Sequence, residues 1–202
     1  MKTIKTILFI MAGALVWVSC DKETREKLSE TKKAVSNATT VVSHAQEAKK
    51  ETDKLKELTP LTNDQLKAWL PETLGGMKRT GFQVGKTGYM NVASVEGTYK
   101  TEEGEQFKVQ VIDGAGQMGS SLILGMGMAT KMDIEEETES KHRKSVEWDG
   151  VKALQTYHKK RNDTTLQFIY DERFMVTVNA KDMSVEETWD LVEQIDLDEL
   201  TD

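Results

Sequence analysis

The chain has 202 residues, of which 38% are hydrophobic, 6% aromatic and 30% charged, with a formal charge of −7 at neutral pH. That size accommodates one modest core plus an appendage rather than several domains. The acidic balance argues against nucleic-acid binding and against polybasic attachment to anionic lipid, both of which need a basic surface.

Lys2 and Lys5 open the chain. Ile7 to Val18 is an almost unbroken apolar run, and Ser19-Cys20 is followed at once by DKETREK. The run is shorter than the ~20 residues that span a bilayer. A positive start, a short apolar core and a small residue before the charge define a secretory signal over 1–19. Cys20 is the single cysteine, so an internal disulfide is excluded. Trp17-Val18-Ser19-Cys20 resembles the lipobox of bacterial lipoproteins, with Trp17 where that class usually has Leu. The resemblance implies cleavage before Cys20 and acylation of its thiol and amine, palmitate among the chains. It also implies export and a lipid anchor in a bacterial membrane, the outer membrane being the expected one, with the rest facing periplasm or surface. Each buried methylene of such chains contributes ~0.8 kcal/mol. Loss of Lys2 and Lys5 with the signal takes the charge from −7 to −9.

Residues 20–59 form the next segment. From 21 to 58 there is no Gly, Pro or aromatic residue, and Leu28, Val35, Ala38, Val42, Ala45 and Leu55 recur at roughly helical steps. That is a narrow apolar seam on a long helix, predicting a stalk with coiled-coil character that reaches ~55 Å at 1.5 Å per residue. Thr59-Pro60 ends it.

The domain is read as residues 60–202. Thr62 or Asn63 caps a short helix, DQLKAWL, stopped by Pro71. Gly75-Gly76 turns the chain into a strand over 77–87, and a second strand runs over 89–100. Phe107, Val109 and Val111 alternate on a third. Residues 115–131 have helix length. Strands follow over 143–148, 151–159, 164–170 and 173–179, with Asp149-Gly150 a two-residue hairpin turn. Ser184-Val185-Glu186-Glu187 is a capping box that opens a helix carrying Val185, Trp189, Val192 and Ile195. Tight turns force antiparallel pairing. The expected fold class is α+β: an antiparallel sheet of about six or seven strands flanked by helices, preceded by the long helical stalk. This order of elements, over about 61–200, is similar to the α/β/α sandwich of the Mog1 and PsbP families. Leu70-Pro71, Gly75-Gly76-Met77 and Arg79 also resemble the opening of secreted bacterial domains of this general shape.

The stretch VIDGAGQMG, residues 111–119, has the G-x-G-x-x-G spacing of a dinucleotide site. Such a site needs a parallel βαβ unit, with the pyrophosphate at the helix N-terminus. Here the preceding strand reads as antiparallel, and Asp113 sets a negative charge beside the phosphate position, so no cofactor is expected. Ser121, Gly125 and Ala129 at four-residue steps form a small-residue stripe expected to let this helix approach the sheet. Leu122, Met126 and Met128 flank it and are the candidate ligand or partner contacts, because methionine adapts to varied surfaces. His44, His142 and His158 lack metal-ligand spacing, so no metal site is expected. The acidic run from Asp133 to Glu139 lacks the pattern of a calcium loop and reads as a solvated helix end balanced by Lys141-His142-Arg143-Lys144. Trp148 and Tyr157 fit alternating strand patterns. Nothing matches a nucleophile elbow or a phosphate loop, so no catalytic residue is assigned. The expectation is a non-enzymatic, lipid-anchored envelope protein whose domain binds a protein or envelope partner. The alternative is a carrier of a small hydrophobic ligand or lipid in a pocket beside helix 115–131.

Overall fold

The structure is a computed structural model that describes residues 49–50, 52–87, 92–130 and 132–201; the side chain of Met128 is not described. The chain divides into two units, Met1–His44 and Ala45–Asp202, and every described residue belongs to the second. The signal segment 1–19, Cys20, His44 and most of the predicted stalk lie outside the described residues. Residues 52–57 are helical. Thr52 and Leu55 within them are buried.

The elements run α1 (Asn63–Trp69), β1 (Thr73–Leu74), β2 (Met77–Thr87), β3 (Val92–Lys100), β4 (Gln106–Asp113), α2 (Gly116–Thr130), β5 (Glu135–Glu137), β6 (Lys141–Trp148), β7 (Val151–His158), β8 (Asp163–Tyr170), β9 (Phe174–Lys181) and α3 (Val185–Val192). A 3-10 turn, Asp198–Leu200, closes the sequence of elements. All strands join one sheet in the order β1-β2-β3-β4-β9-β8-β7-β6-β5. Every neighbouring pair is antiparallel. Two meanders therefore meet at β4 and β9, and α2 carries the chain from the centre of the sheet to its far edge.

This corrects the expectation of six or seven strands flanked by helices. The chain is mostly one antiparallel sheet of nine strands, with α1, α2 and α3 beside the helical residues 52–57 among the described residues. The added strands are short. β1 has two residues, and β5 is Glu135-Glu136-Glu137, a charged triplet with no alternation to mark it.

One face of the sheet carries the core. Tyr99 lies opposite Phe107, Val95 opposite Val111, Val109 opposite Val178, and Phe168 opposite Val176. All these side chains are buried. They are closed over by Leu66, Trp69 and Leu70 of the α1 region and by Leu191, Val192, Ile195 and Leu197 after β9. Burying each such side chain is worth ~1.5–3 kcal/mol. Both covering helices carry complete capping boxes, Thr62 with Gln65 and Ser184 with Glu187. The Trp69 indole donates to Asp196 O at 2.7 Å, tying α1 to the C-terminal segment.

The opening Leu70-Pro71 to Arg79 also has a local reason. The Arg79 guanidinium donates to Leu70 O at 2.5 Å and Pro71 O at 3.2 Å, and the Tyr99 hydroxyl donates to Pro71 O at 2.9 Å. Burial pushes the Tyr99 phenol up from its ordinary value.

The opposite face alternates out of phase with the core. Glu96, Lys108, Gln110, Thr177, Asn179, Thr165 and Gln167 are half-buried there. α2 crosses this face, where Ile169 packs against its Gly127.

Candidate functional site

The turn from β4 into α2 is built around a buried anion. The Asp113 side chain is fully buried and meets Arg173, whose side chain is 17% exposed. Oδ1 accepts from Arg173 Nε at 2.8 Å and from Ala115 N at 2.9 Å. Oδ2 accepts from Arg173 Nη2 at 2.9 Å and from Leu61 N at 2.7 Å. The carboxylate is thus held by a two-pronged guanidinium and two amides, the arrangement that makes a buried charge tolerable. Leu61 stands where the chain reaches α1, so one residue ties β4, β9 and the approach to α1 together.

The three fingerprint glycines each have a packing role in this turn. A Cβ on Gly114 would lie 2.5 Å from Arg173 O and would also strike Ile123. Gly116 has φ +80°, a conformation that favours glycine. A Cβ on Gly119 would lie 2.6–2.8 Å from the backbone of Asp113 and Gly114. β4 is antiparallel to both its neighbours, and the amide just ahead of α2 is taken by the chain's own carboxylate.

The small-residue stripe faces the other way from the expectation. Ser121 and Gly125 are exposed, and a Cβ on Gly125 would meet nothing within 4 Å. The face toward the sheet is Ser120, Ile123, Gly127 and Thr130, at steps of three, four and three, with Gly119 beside it. Close approach to the sheet therefore uses small residues, but a set one position over. Leu122 and Met126 are half-buried flanks of the helix. Met118 is 50% exposed and Met132, just past the helix, 59%. Neither was singled out from sequence, because a lone exposed methionine gives no pattern.

Two surface depressions occur elsewhere, and neither borders α2. The larger, about 640 Å³, is lined by Trp148, Tyr170, Glu193, Asp196 and Asp198 among others. Its aromatic wall is Trp148, stacked on Trp189 with centroids 5.1 Å apart and tilted against Phe168 at 5.6 Å. The Trp148 indole donates to Glu193 Oε1 at 3.4 Å, and the Tyr170 hydroxyl donates to the Asp198 carboxylate. That hydrogen bond pushes the Tyr170 phenol up to about 12, with burial and nearby carboxylates adding to it. Tyr170 and Asp198 are 28 residues apart, and no sequence signal joins them. The smaller depression, about 240 Å³, lies by Gly75, Met77, Thr101, Met183 and Leu191.

The acidic run is an edge strand rather than a helix end. Glu135, Glu136 and Glu137 stand opposite Lys144, Arg143 and His142. Lys141 Nζ reaches Glu136 at 3.0 Å, Lys159 reaches Glu137 at 2.6 Å, and Lys152 reaches Asp133 at 2.7 Å. His142 Nε2 lies 3.4 Å from Glu135. Lys159 holds the Glu137 carboxyl below its ordinary value, chiefly by hydrogen bonding. The Tyr157 hydroxyl donates to Asn162 at 3.0 Å. Among the described residues no group of three or more His, Cys, Asp or Glu is placed to hold a metal ion, and no helix is long and apolar enough to cross a membrane.

No family model matches the chain, and no curated protein matches it. Among solved structures, a GTP binding regulator from Thermotoga maritima aligns over 69% of this chain and 84% of its own, with 9% identity and a TM-score of 0.29. Similarity at that level assigns neither a family nor an activity.

Proposed function

We propose that the protein is a bacterial envelope lipoprotein, anchored by acyl chains on Cys20, whose non-enzymatic domain is displayed to a protein or envelope partner. The observation that carries this is the N-terminus: an apolar run too short to span a bilayer, ending in the single cysteine of the chain and followed at once by charge. The outer membrane, facing periplasm or surface, is the proposed address. The binding role draws support from the way the domain uses its charges. Asp113, Glu96, Glu136, Glu137 and Asp133 each pair with a cation of the same chain. They brace strands instead of converging on one reacting atom. The carrier reading gains nothing from the two depressions, which lie away from α2.

The test is Cys20→Ala in the expressed full chain, followed by fractionation and labelling with palmitate. The variant is expected to leave the membrane fraction and to lose the label. Membrane retention equal to the parent, or a parent that takes up no palmitate, overturns the reading.

A further inference from the structure

The larger depression is a cleft with aromatic walls and an uncompensated charge. Asp149, Glu193, Asp196 and Asp198 stand round the rings of Trp148 and Tyr170, and no lysine, arginine or histidine lines it. Elsewhere in the domain carboxylates are braced by cations of the same chain, as Asp113 is by Arg173 and Glu137 by Lys159. Among the described residues no cation pairs with any of these four. Three of them are held by neutral donors instead. The Tyr170 hydroxyl donates to Asp198, the Trp148 indole to Glu193 at 3.4 Å, and Glu199 N to Asp196 at 3.2 Å. A neutral donor fixes the acceptor oxygen and leaves the negative charge in place. The Tyr170 phenol, pushed up first by its hydrogen bond to Asp198 and then by burial, also feels the charges of Asp198, Asp171 and Asp149.

α3 adds to this field from another direction. A helix C-terminus carries partial negative charge and is ordinarily met by a basic side chain. The last turn of α3 has none, and its C-cap is Glu193. An acid at a helix C-terminus breaks a local rule, and such breaks gather at functional sites. The field calls for a cation, and two observations select its kind. Among the described residues no group of three or more His, Cys, Asp or Glu is placed to hold a metal ion, so the carboxylates are too spread for a bare one. The cleft of about 640 Å³ falls within the ~300–1,000 Å³ of small-ligand sites. Aromatic rings such as Trp148 and Tyr170 attract cations and pack apolar stems.

We propose that this cleft binds an organic cation, an ammonium or guanidinium carried on an apolar stem. Its charge sits among Glu193, Asp196 and Asp198, and its stem lies against Trp148 and Tyr170. This names the ligand chemistry for the binding role proposed above and rests on that role. It does not involve Cys20, so the palmitate test and the titration below fail separately.

The test uses the full chain in mild detergent at about 0.15 M salt, where long-range surface charge is screened. The tryptophan indoles carry ¹⁵N, and Trp148→Phe assigns the Trp148 signal. The probes are butane-1,4-diamine and end-blocked dilysine, each with two ammonium groups, beside the same two molecules acetylated on those amines. Both cations are expected to move the Trp148 indole signal saturably, and the acetylated forms to leave it in place. Tighter binding of dilysine assigns the cation to a side chain of a protein partner. Equal or tighter binding of the diamine assigns it to a free amine, and either result supports the site. No saturable shift with either cation, or an equal shift with the acetylated forms, overturns the proposal.

Bulk attraction to an acidic protein is separated by two double variants that remove the same charge. Glu193→Gln with Asp196→Asn is expected to weaken binding about fivefold, the worth of two exposed ion pairs. Glu102→Gln with Glu103→Gln, exposed in the turn between β3 and β4, is expected to leave it unchanged. Equal losses from the two overturn the site. If the first does not fold, Asp149→Asn replaces it. Asp149 is exposed, and its φ of +45° is one that Asn also adopts. A loss of about twofold is then expected, and none overturns the proposal.

Discussion

Asp113 shows how one side chain can decide several features at once. Its four hydrogen bonds join β4, β9, the turn into α2 and the approach to α1. Asp113→Ala leaves the Arg173 guanidinium and two amides without their acceptor. Removing one partner of such a pair costs about 3–5 kcal/mol. Urea unfolding is expected to show a lower midpoint at unchanged slope. A midpoint within experimental error of the parent would mean the carboxylate is dispensable. Arg173→Lys should also lose stability, because an ammonium cannot reproduce the two-pronged contact. Tyr170 offers a second residue-scale check. Its phenol is pushed up to about 12, first by the hydrogen bond to Asp198. The folded value lies above the ordinary ~10 of the unfolded chain. Its stabilisation is therefore complete below about pH 10 and fades as pH rises toward 12. Phenolate absorbance should show one tyrosine titrating late near pH 12, and Asp198→Asn should bring that step down.

At the scale of elements, α2 separates two kinds of glycine. Gly125 has open space at its Cβ position, so Gly125→Ala is expected to raise stability by about 1 kcal/mol through helix propensity. Gly119 faces backbone of Asp113 and Gly114 at 2.6–2.8 Å, so Gly119→Ala should lower it. Thermal unfolding of the two variants is expected to move in opposite directions, and the same direction for both would refute the packing of this turn. The contrast also marks what could be read in advance. Long strands with alternation, β4, β8 and β9 above all, were legible because one buried face imposes a period of two. The caps Thr62 and Ser184 were legible because their chemistry is local. The inner face of α2 was not. Small residues fall on both sides of this helix, at Ser121 and Gly125 as well as at Gly119, Ser120 and Gly127, so composition cannot say which side meets the sheet. β5 was hidden because three glutamates have no apolar face. The partnership of Asp113 with Arg173 spans 60 residues and leaves no trace in spacing.

For the whole molecule, a nine-stranded open sheet has two edges, and an exposed edge is a template for pairing with another chain. β5 meets that hazard with charge. Glu135, Glu136 and Glu137 face Lys144, Arg143 and His142 across the ladder. Lys159 and Lys141 reach across to Glu137 and Glu136. The pairing contributes little core, since every residue of β5 is exposed. Its stability therefore rests on screened surface charge, which shortens its reach from ~8 Å at physiological ionic strength to ~3 Å at 1 M salt. The centre of the sheet rests instead on buried side chains such as Val109, Val178 and Phe168, which salt does not screen. Amide exchange at 134–138 should thus quicken as salt is raised from low to about 1 M, while exchange in β4, β9 and β8 stays unchanged or slows. Replacing Glu135, Glu136 and Glu137 together by Thr should remove the salt response at this edge. It should also raise aggregation, since the edge then carries neither repelling charge nor a covering element. Light scattering measured beside the exchange separates the two effects. An edge whose exchange ignores salt, in a parent that also stays soluble after the triple substitution, would show that something other than charge guards it.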